Sequence, residues 1–249
     1  ATSGGSSTIT DSTRSWGTNQ WANWAQVRIK SGTGAGQVRI ISSNTGTVLT
    51  VASAWTVNPD NTSVYVIEAN DDYIYYTGAG ATTFYRYTIS SNSWTSLTAR
   101  SNAPGAGGCH GWICGNTNVA LRDETAWKDG RYIYSFRGGA ASTLDIYDIA
   151  AGTWTNGATY GRNNETFTTG SMSCVVGGKM YILKDATGRW FRYDPSTNNL
   201  DPWSTTTYPD GTASLGNRAF PLTISDTGVV RYIYWIRHAN PDTFRCMII

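Results

Sequence analysis

A pair of aromatic strand patterns joined by a short turn recurs four times in this chain, and this recurrence constrains the fold most. The four copies begin at Tyr73, Tyr132, Met180 and Tyr232. Repeats spaced by roughly 50 residues, each built from short strands and tight turns, are typical of radial or stacked β architectures. The sequence therefore predicts an all-β fold whose larger part is an array of repeats.

The composition supports this fold class and excludes several functions. Of 249 residues, 13% are aromatic and 14% are charged, which suits a packed core of short strands rather than a disordered chain. The formal net charge is only +2 and no run of like charge occurs, so no nucleic-acid partner is expected. No apolar run of about 18 residues occurs, so no membrane insertion is expected.

The chain before the repeats divides into two stretches. Residues 1–15 are rich in Ser, Thr and Gly, which predicts an extended arm. Residues 16–61 show short alternating apolar runs between Gly and Asn turns, which predicts a small N-terminal β module. Within this module, residues 38–40 and 48–51 flank Asn44-Thr45-Gly46, a pattern typical of a β-hairpin.

The repeats occupy residues 62–249 and predict about four blades. Each repeat begins with one further strand pattern, and the four patterns span residues 63–67, 119–127, 171–176 and 220–225. Three repeats close with a Trp, whereas the chain ends before a closing strand in the fourth. Because unpaired strand edges invite aggregation, two arrangements are open. Either the N-terminal segment supplies the missing strand and closes a ring, or the blades form an open arc that another subunit covers.

The second repeat has a characteristic order of features, which is an aromatic strand, a Gly pair, a Tyr-Asp pair and a Trp. The strand spans residues 132–136, and it is followed by Gly138-Gly139, Tyr147-Asp148 and Trp154. The third repeat keeps the second half of this order, with Tyr193-Asp194 and Trp203. This order resembles that of kelch-type β-propeller blades. The resemblance implies a kelch-like propeller with divergent repeats after the N-terminal module.

A second resemblance lies in residues 31–67. Its matching features are Gly34-Ala35-Gly36-Gln37, Asn44-Thr45, Trp55, Pro59 and Thr62-Ser63-Val64-Tyr65. This segment resembles part of structural proteins of tailed phages, which occur in tails, fibres, necks and capsid decorations. The resemblance implies a virion protein without specifying its position in the particle.

Two thiols and an imidazole lie close together at Cys109, His110 and Cys114, and could form part of a zinc site. The spacing is not that of a standard paired zinc knuckle, and the chain's other histidine is His238. A local disulfide and a pair of buried structural thiols remain alternatives, and no metal is predicted. The Gly-rich run at residues 105–108 lacks a following Lys-Ser/Thr pair, so no phosphate-binding loop and no cofactor are predicted.

The acidic residues predict no catalytic site. Asp71-Asp72 and Asp123-Glu124 could supply oxygen ligands to calcium, although solvated turn residues are the ordinary interpretation. Glycoside hydrolysis needs two carboxylates facing one bond. Residues 185–190, DATGRW, echo the Asp-box turn of sialidase propellers, and that turn is structural in its own family. We therefore predict no catalytic residue, with a hydrolase kept as an alternative.

Aromatic rings and loop amides are the candidate recognition groups. Flat Trp rings can stack on the CH face of a sugar, although most rings in a propeller are expected to pack between blades. Polar loops on a rigid scaffold commonly carry recognition residues. The candidates are Trp112, Asn163, Asn164, Trp190, His238 and Asn240.

The predicted function is that of a structural component of a phage virion. It would be a capsid decoration or a tail- or fibre-associated protein, acting by protein–protein binding and surface recognition. The expected partners are other virion proteins and further copies of the chain on a symmetric particle, with a host or environmental glycan as a further partner. Two alternatives remain: a glycan-binding β-propeller module and a polysaccharide-degrading enzyme.

Overall fold

The structure is a computed structural model. It describes residues 1–70, 72–77, 81–101, 131–137, 143–159, 165–167, 171–176, 179–184, 189–195, 197–203, 218–223, 230–236 and 244–248. These ranges hold 19 strands and no helix, which confirms the predicted all-β class. The contacts divide the chain into an N-terminal unit, built on Ala1–Asp72, and a second unit that holds most of the chain from Tyr73 on.

The N-terminal unit contains one antiparallel sheet of six strands. Its strands are β1 (Ser3–Gly5), β2 (Thr8–Thr10), β3 (Ala25–Ser31), β4 (Val38–Asn44), β5 (Val48–Val51) and β6 (Val64–Ala69). Their order across the sheet is β1-β2-β5-β4-β3-β6. The predicted hairpin is confirmed, because β4 pairs with β5 and the Thr45 N–H donates to the Val48 carbonyl at 2.9 Å.

The prediction of an extended arm at residues 1–15 is wrong. β1 and β2 form a hairpin, and β2 pairs with β5 through the register Ile9↔Leu49. Ile9 is fully buried and belongs to the same core cluster as Leu49, Trp16 and Trp55. A strand with a single inward apolar residue between two threonines, as in β2, can therefore pair with the edge of an existing sheet. The Ser/Thr/Gly composition concealed this strand because it lacks the usual apolar run.

The strand predicted at residues 63–67 exists, but it belongs to the N-terminal sheet rather than to a first blade. β6 pairs with β3 through the register Val27↔Ile67. The boundary predicted between residues 61 and 62 is therefore corrected, since the N-terminal unit continues to Asp72. An alternating pattern locates a strand and its buried face, but it does not select the neighbouring strand.

Asp11 ties the N-terminal hairpin to β6. The Tyr65 hydroxyl donates to Asp11 Oδ2 at 2.7 Å, and Thr13 donates through its hydroxyl at 2.6 Å and its N–H at 3.1 Å. Burial acts to raise the pKa of Asp11, but these donors and Arg14 outweigh it and hold that pKa well below its usual range. Burial and the nearby carboxylate raise the pKa of Tyr65.

In its described residues, the second unit contains four antiparallel sheets in chain order. Sheet I holds β7 (Tyr73–Thr77), β8 (Phe84–Thr88) and β9 (Ser93–Ser96), and sheet II holds β10 (Tyr132–Phe136), β11 (Thr143–Asp148) and β12 (Thr153–Thr159). Sheet III holds β13 (Met172–Val176), β14 (Lys179–Leu183), β15 (Trp190–Asp194) and β16 (Asn199–Pro202). Sheet IV holds β17 (Arg218–Thr223), β18 (Val230–Ile236) and β19 (Phe244–Ile248).

The four predicted pairs of aromatic strands are confirmed as β7/β8, β10/β11, β14/β15 and β18/β19. The strands predicted at residues 171–176 and 220–225 correspond to β13 and β17, while residues 119–127 lie outside the described ranges.

Neighbouring sheets share aromatic residues. The Phe84 ring of sheet I meets Tyr147 and Trp154 of sheet II edge-on, with centroid distances of 4.7 and 5.0 Å. The opposite face of sheet II carries Phe136, whose ring lies 5.5 Å from Tyr193 of sheet III. Burial raises the pKa of both Tyr147 and Tyr193. Sheets I, II and III therefore pack face to face in chain order, as the units of a repeat array do.

Three sheets also share one turn geometry. A residue with positive φ, between 48° and 68°, follows a strand tyrosine by five positions. In the two turns where this residue is Asn, its side-chain oxygen accepts the tyrosine hydroxyl at 2.6 and 2.9 Å. Asn and Gly are the residues that tolerate this left-handed conformation best. The pairs are Tyr87 with Asn92, Tyr147 with Gly152, and Tyr193 with Asn198.

Candidate functional site

One face of sheet I carries large side chains that face away from sheet II. Residues directly opposite each other in an antiparallel pair share a face of the sheet. The registers of β7, β8 and β9 give two such cross-strand rows. We name this set the outer aromatic face, and it consists of Ile74, Tyr76, Tyr85, Tyr87, Trp94 and Ser96.

The outer aromatic face is open to solvent. Ile74, Tyr76 and Trp94 are 52%, 53% and 58% exposed. By contrast, Phe84 on the other face of the same sheet is 1% exposed. Sheet I is therefore aromatic on both faces, and only its inner face is covered.

Trp94 contacts three tyrosine rings of the outer aromatic face. Its ring centroid is 5.0 Å from Tyr87, 6.0 Å from Tyr76 and 6.4 Å from Tyr85. The Tyr76 and Tyr85 rings meet it edge-on, at interplanar angles of 71° and 86°. The Tyr87 hydroxyl is fixed by its bond to Asn92. The contacts between the rings and this hydrogen bond therefore preorganise the outer aromatic face in the absence of a ligand.

The outer aromatic face carries no charged residue. Arg86 is the charged residue in the strands of sheet I. Because side chains alternate between the two faces along β8, Arg86 lies on the inner face. There its guanidinium lies 4.1 Å from the Tyr73 ring centroid. The outer aromatic face is thus a neutral surface of rings, with tyrosine and serine hydroxyls among them.

The sequence pattern of β7 contained a signal for this face that was not used. Tyr-Ile-Tyr-Tyr has no polar residue at alternate positions, so it places apolar or aromatic side chains on both faces of the strand. Trp94 is the residue that closes the first predicted repeat. A Trp between serines and threonines, in Ser93–Ser96, is consistent with an exposed edge strand instead.

Among the predicted recognition residues, only Trp190 lies in the described ranges. It belongs to β15, opposite Leu183, and is 4% exposed. Its predicted place on a recognition surface is therefore wrong, because its register position turns the ring into the protein. The other five lie outside the described residues: Trp112, Asn163, Asn164, His238 and Asn240.

A buried ion cluster in the second unit is structural in character. Asp145 is fully buried, and its Oδ2 accepts from Arg100 Nη2 at 2.6 Å. Its Oδ1 accepts from Arg137 Nε and Nη2 at 2.9 and 2.8 Å. The Arg100 guanidinium also lies 5.2 Å from the Trp154 ring centroid, and among the described residues its Nε and Nη1 have no hydrogen-bond partner. The two guanidinium groups thus share one carboxylate.

Other carboxylates of the second unit are also held by cations. Arg131 binds Asp148 at 2.8 Å, Lys179 lies 3.1 Å from Asp194, and Lys184 pairs with Glu165. In the N-terminal unit, Glu68 accepts from Arg28 at 2.7 Å. A carboxylate engaged in this way stabilises the fold, and these pairs do not present two acids to one substrate bond.

In the described part of the chain, no three His, Cys, Asp or Glu residues group together as metal ligands would. The same part contains no helix with the length and apolarity needed to cross a membrane. Several predicted alternatives fall on residues that the structure does not describe, namely residues 105–108, Cys109, His110, Cys114, Asp123 and Glu124.

The chain was compared with family models, curated proteins and solved structures. No family model and no curated protein matches the chain. Among 109 matching chains of solved structures is that of YjhT, at 14% sequence identity and a TM-score of 0.45. The match covers 72% of this chain and 63% of that one, so the chain spans less than two thirds of the length of YjhT.

Proposed function

We propose that this chain is a structural component of a phage virion that acts by binding, as a capsid decoration or a tail- or fibre-associated protein. The observation that carries the binding role is the outer aromatic face. Soluble proteins seldom leave contiguous large apolar side chains exposed, and such patches commonly mark interaction sites. Here Ile74, Tyr76 and Trp94 are each more than half exposed and lie on the same face of one sheet.

The virion assignment rests on the resemblance of residues 31–67, and the structure shows what the matching residues do. Gln37 donates from Nε2 to the Val57 carbonyl at 2.9 Å, and its Oε1 accepts from the Thr56 N–H at 2.8 Å. Trp55 is 5% exposed in the core. At Gly32, with φ of +78°, a side-chain Cβ would lie 2.0 Å from the Thr62 carbonyl oxygen. These residues build a compact scaffold, which suits an assembly module.

The sheets after Tyr73 are proposed to form a kelch-like array that is open at sheet I. In a closed ring, each sheet has a neighbour on both faces. The exposure of Tyr76 and Trp94 favours the open arc among the two arrangements that the sequence allowed. On this proposal the N-terminal unit attaches the chain to the particle, and the outer aromatic face meets a partner.

Quantitative mass spectrometry of density-purified phage particles tests this function. The chain should be present in each particle, at a copy number set by the symmetry of the capsid or tail. Electron cryomicroscopy of the same particles should place its β density on the particle surface. Detection of the chain only in the soluble lysate, and never in particles, would refute the virion role.

A further inference from the structure

The size of the outer aromatic face limits what can occupy it. A fully buried aromatic side chain covers roughly 150–250 Å². Tyr76, Trp94 and Ile74 are each about half exposed, so together they leave roughly 300 Å² of mostly apolar surface open. A stable protein–protein interface buries roughly 800 Å² on each partner. These three side chains therefore offer less than half of that area, which is large enough for a few sugar rings.

The absence of charged residues from the outer aromatic face limits the class of ligand that it can bind. None of its six residues is Asp, Glu, Lys, Arg or His. A charged ligand would lose hydration there without gaining an opposite charge. A neutral ligand with both apolar and hydroxyl faces avoids this loss.

From these observations we infer that the outer aromatic face binds a neutral polysaccharide. The flat CH face of one sugar ring stacks on Trp94, and the edge-on Tyr76 ring bounds it on one side. Hydroxyls of Tyr85 and Ser96, which lie opposite each other in the register, can exchange hydrogen bonds with sugar hydroxyls. This inference rests on the proposed binding role of the same face and names its ligand.

Calorimetry and affinity gel electrophoresis of the full chain test the inference. The probes are neutral glucans, galactans and mannans, with hyaluronan as an anionic comparison. We expect at least one neutral polysaccharide to bind and hyaluronan to bind more weakly. Trp94→Ala should weaken neutral binding roughly tenfold or more, as truncation of a central interface aromatic does. Trp94→Phe, which keeps a ring, should weaken it less.

Trp203→Ala is the matched control, because Trp203 is also exposed, at 37%, but follows β16 and contacts Tyr181 of sheet III. It should leave polysaccharide binding unchanged, and near-ultraviolet circular dichroism should show that all variants are folded. Absence of binding to every neutral probe would overturn the inference, as would binding that Trp94→Ala leaves intact.

Two further results separate this inference from the proposed function. If sedimentation shows a dimer that Trp94→Ala dissociates, the face belongs to an interface with a second copy, and the glycan assignment is refuted. If the chain is found in phage particles but binds no neutral polysaccharide, the virion role stands and only the ligand class fails. If neutral polysaccharide binds through Trp94 but the chain is absent from particles, the ligand class stands and the virion role fails.

Discussion

Replacing Ile9 with Ala tests whether the first strands are integral to the N-terminal sheet. Ile9 is fully buried in β2, opposite Leu49. The substitution removes three carbon groups, worth about 2.4 kcal/mol at about 0.8 kcal/mol each. Buried Ile→Ala changes cost about 2–5 kcal/mol because a cavity remains. We therefore expect the free energy of unfolding of the N-terminal unit to fall by about 3 kcal/mol, measured by urea denaturation followed by tryptophan fluorescence.

Val64→Ala is the matched control for this experiment. Val64 is also β-branched and lies in the same sheet, in β6, but it is 54% exposed. Its replacement should change the free energy of unfolding by less than about 0.5 kcal/mol. Hydrogen exchange should show faster exchange of the β5 amides only in Ile9→Ala. If both variants change stability by the same small amount, residues 1–10 do not contribute to the core and the reasoning fails.

Three further predictions concern charges and turns. Asp145→Asn should lower the free energy of unfolding by about 3–5 kcal/mol in urea, because two arginines lose their shared carboxylate; unchanged stability would contradict this role. Asp11 has a lowered pKa when folded, so its stabilisation is present above its unfolded pKa and is lost as pH falls through the folded pKa. Tyr65→Phe removes a donor to Asp11 and so raises its folded pKa, and the acid-dependent loss of stability in thermal unfolding should therefore be smaller and end at a higher pH than in the parent; parallel curves would argue against the link. Gly152→Ala should cost about 1 kcal/mol at positive φ and Gly152→Asn less, whereas equal losses in denaturant titrations would reject the shared turn geometry.

The strand pairs of the second unit could be predicted because their aromatic residues recur with a constant order. The patterns beginning at Tyr73, Tyr132, Met180 and Tyr232 each became two antiparallel strands. The shared turn was also present in the sequence, five positions after each strand tyrosine. This turn is hard to identify from sequence because the position is Asn in two repeats and Gly in one. The property that these two residue types share is tolerance of a positive φ.

The remaining features depend on partners that a single sequence does not specify. Thr8-Ile9-Thr10 has too little apolar content to predict a strand until β5 offers it an edge. The strand at Val64–Ala69 was found, yet its pairing with β3 depends on tertiary packing. Trp94 and Trp154 occupy similar places in their repeats, but only Trp154 has a neighbouring sheet to contact it, through Phe84. Burial of a residue in a repeat is decided by whether another repeat lies on that side.

The contact of Phe84 with sheet II has a consequence for how the array would come apart. Repeat arrays gain stability from nearest neighbours, so a terminal unit held on one side only is the first to fray. In the proposed open array, sheet I would be such a unit, and Phe84 contacts the sheet next to it. A molecule seated against Trp94 would then act as an end cap, raising the melting temperature of the array by mass action.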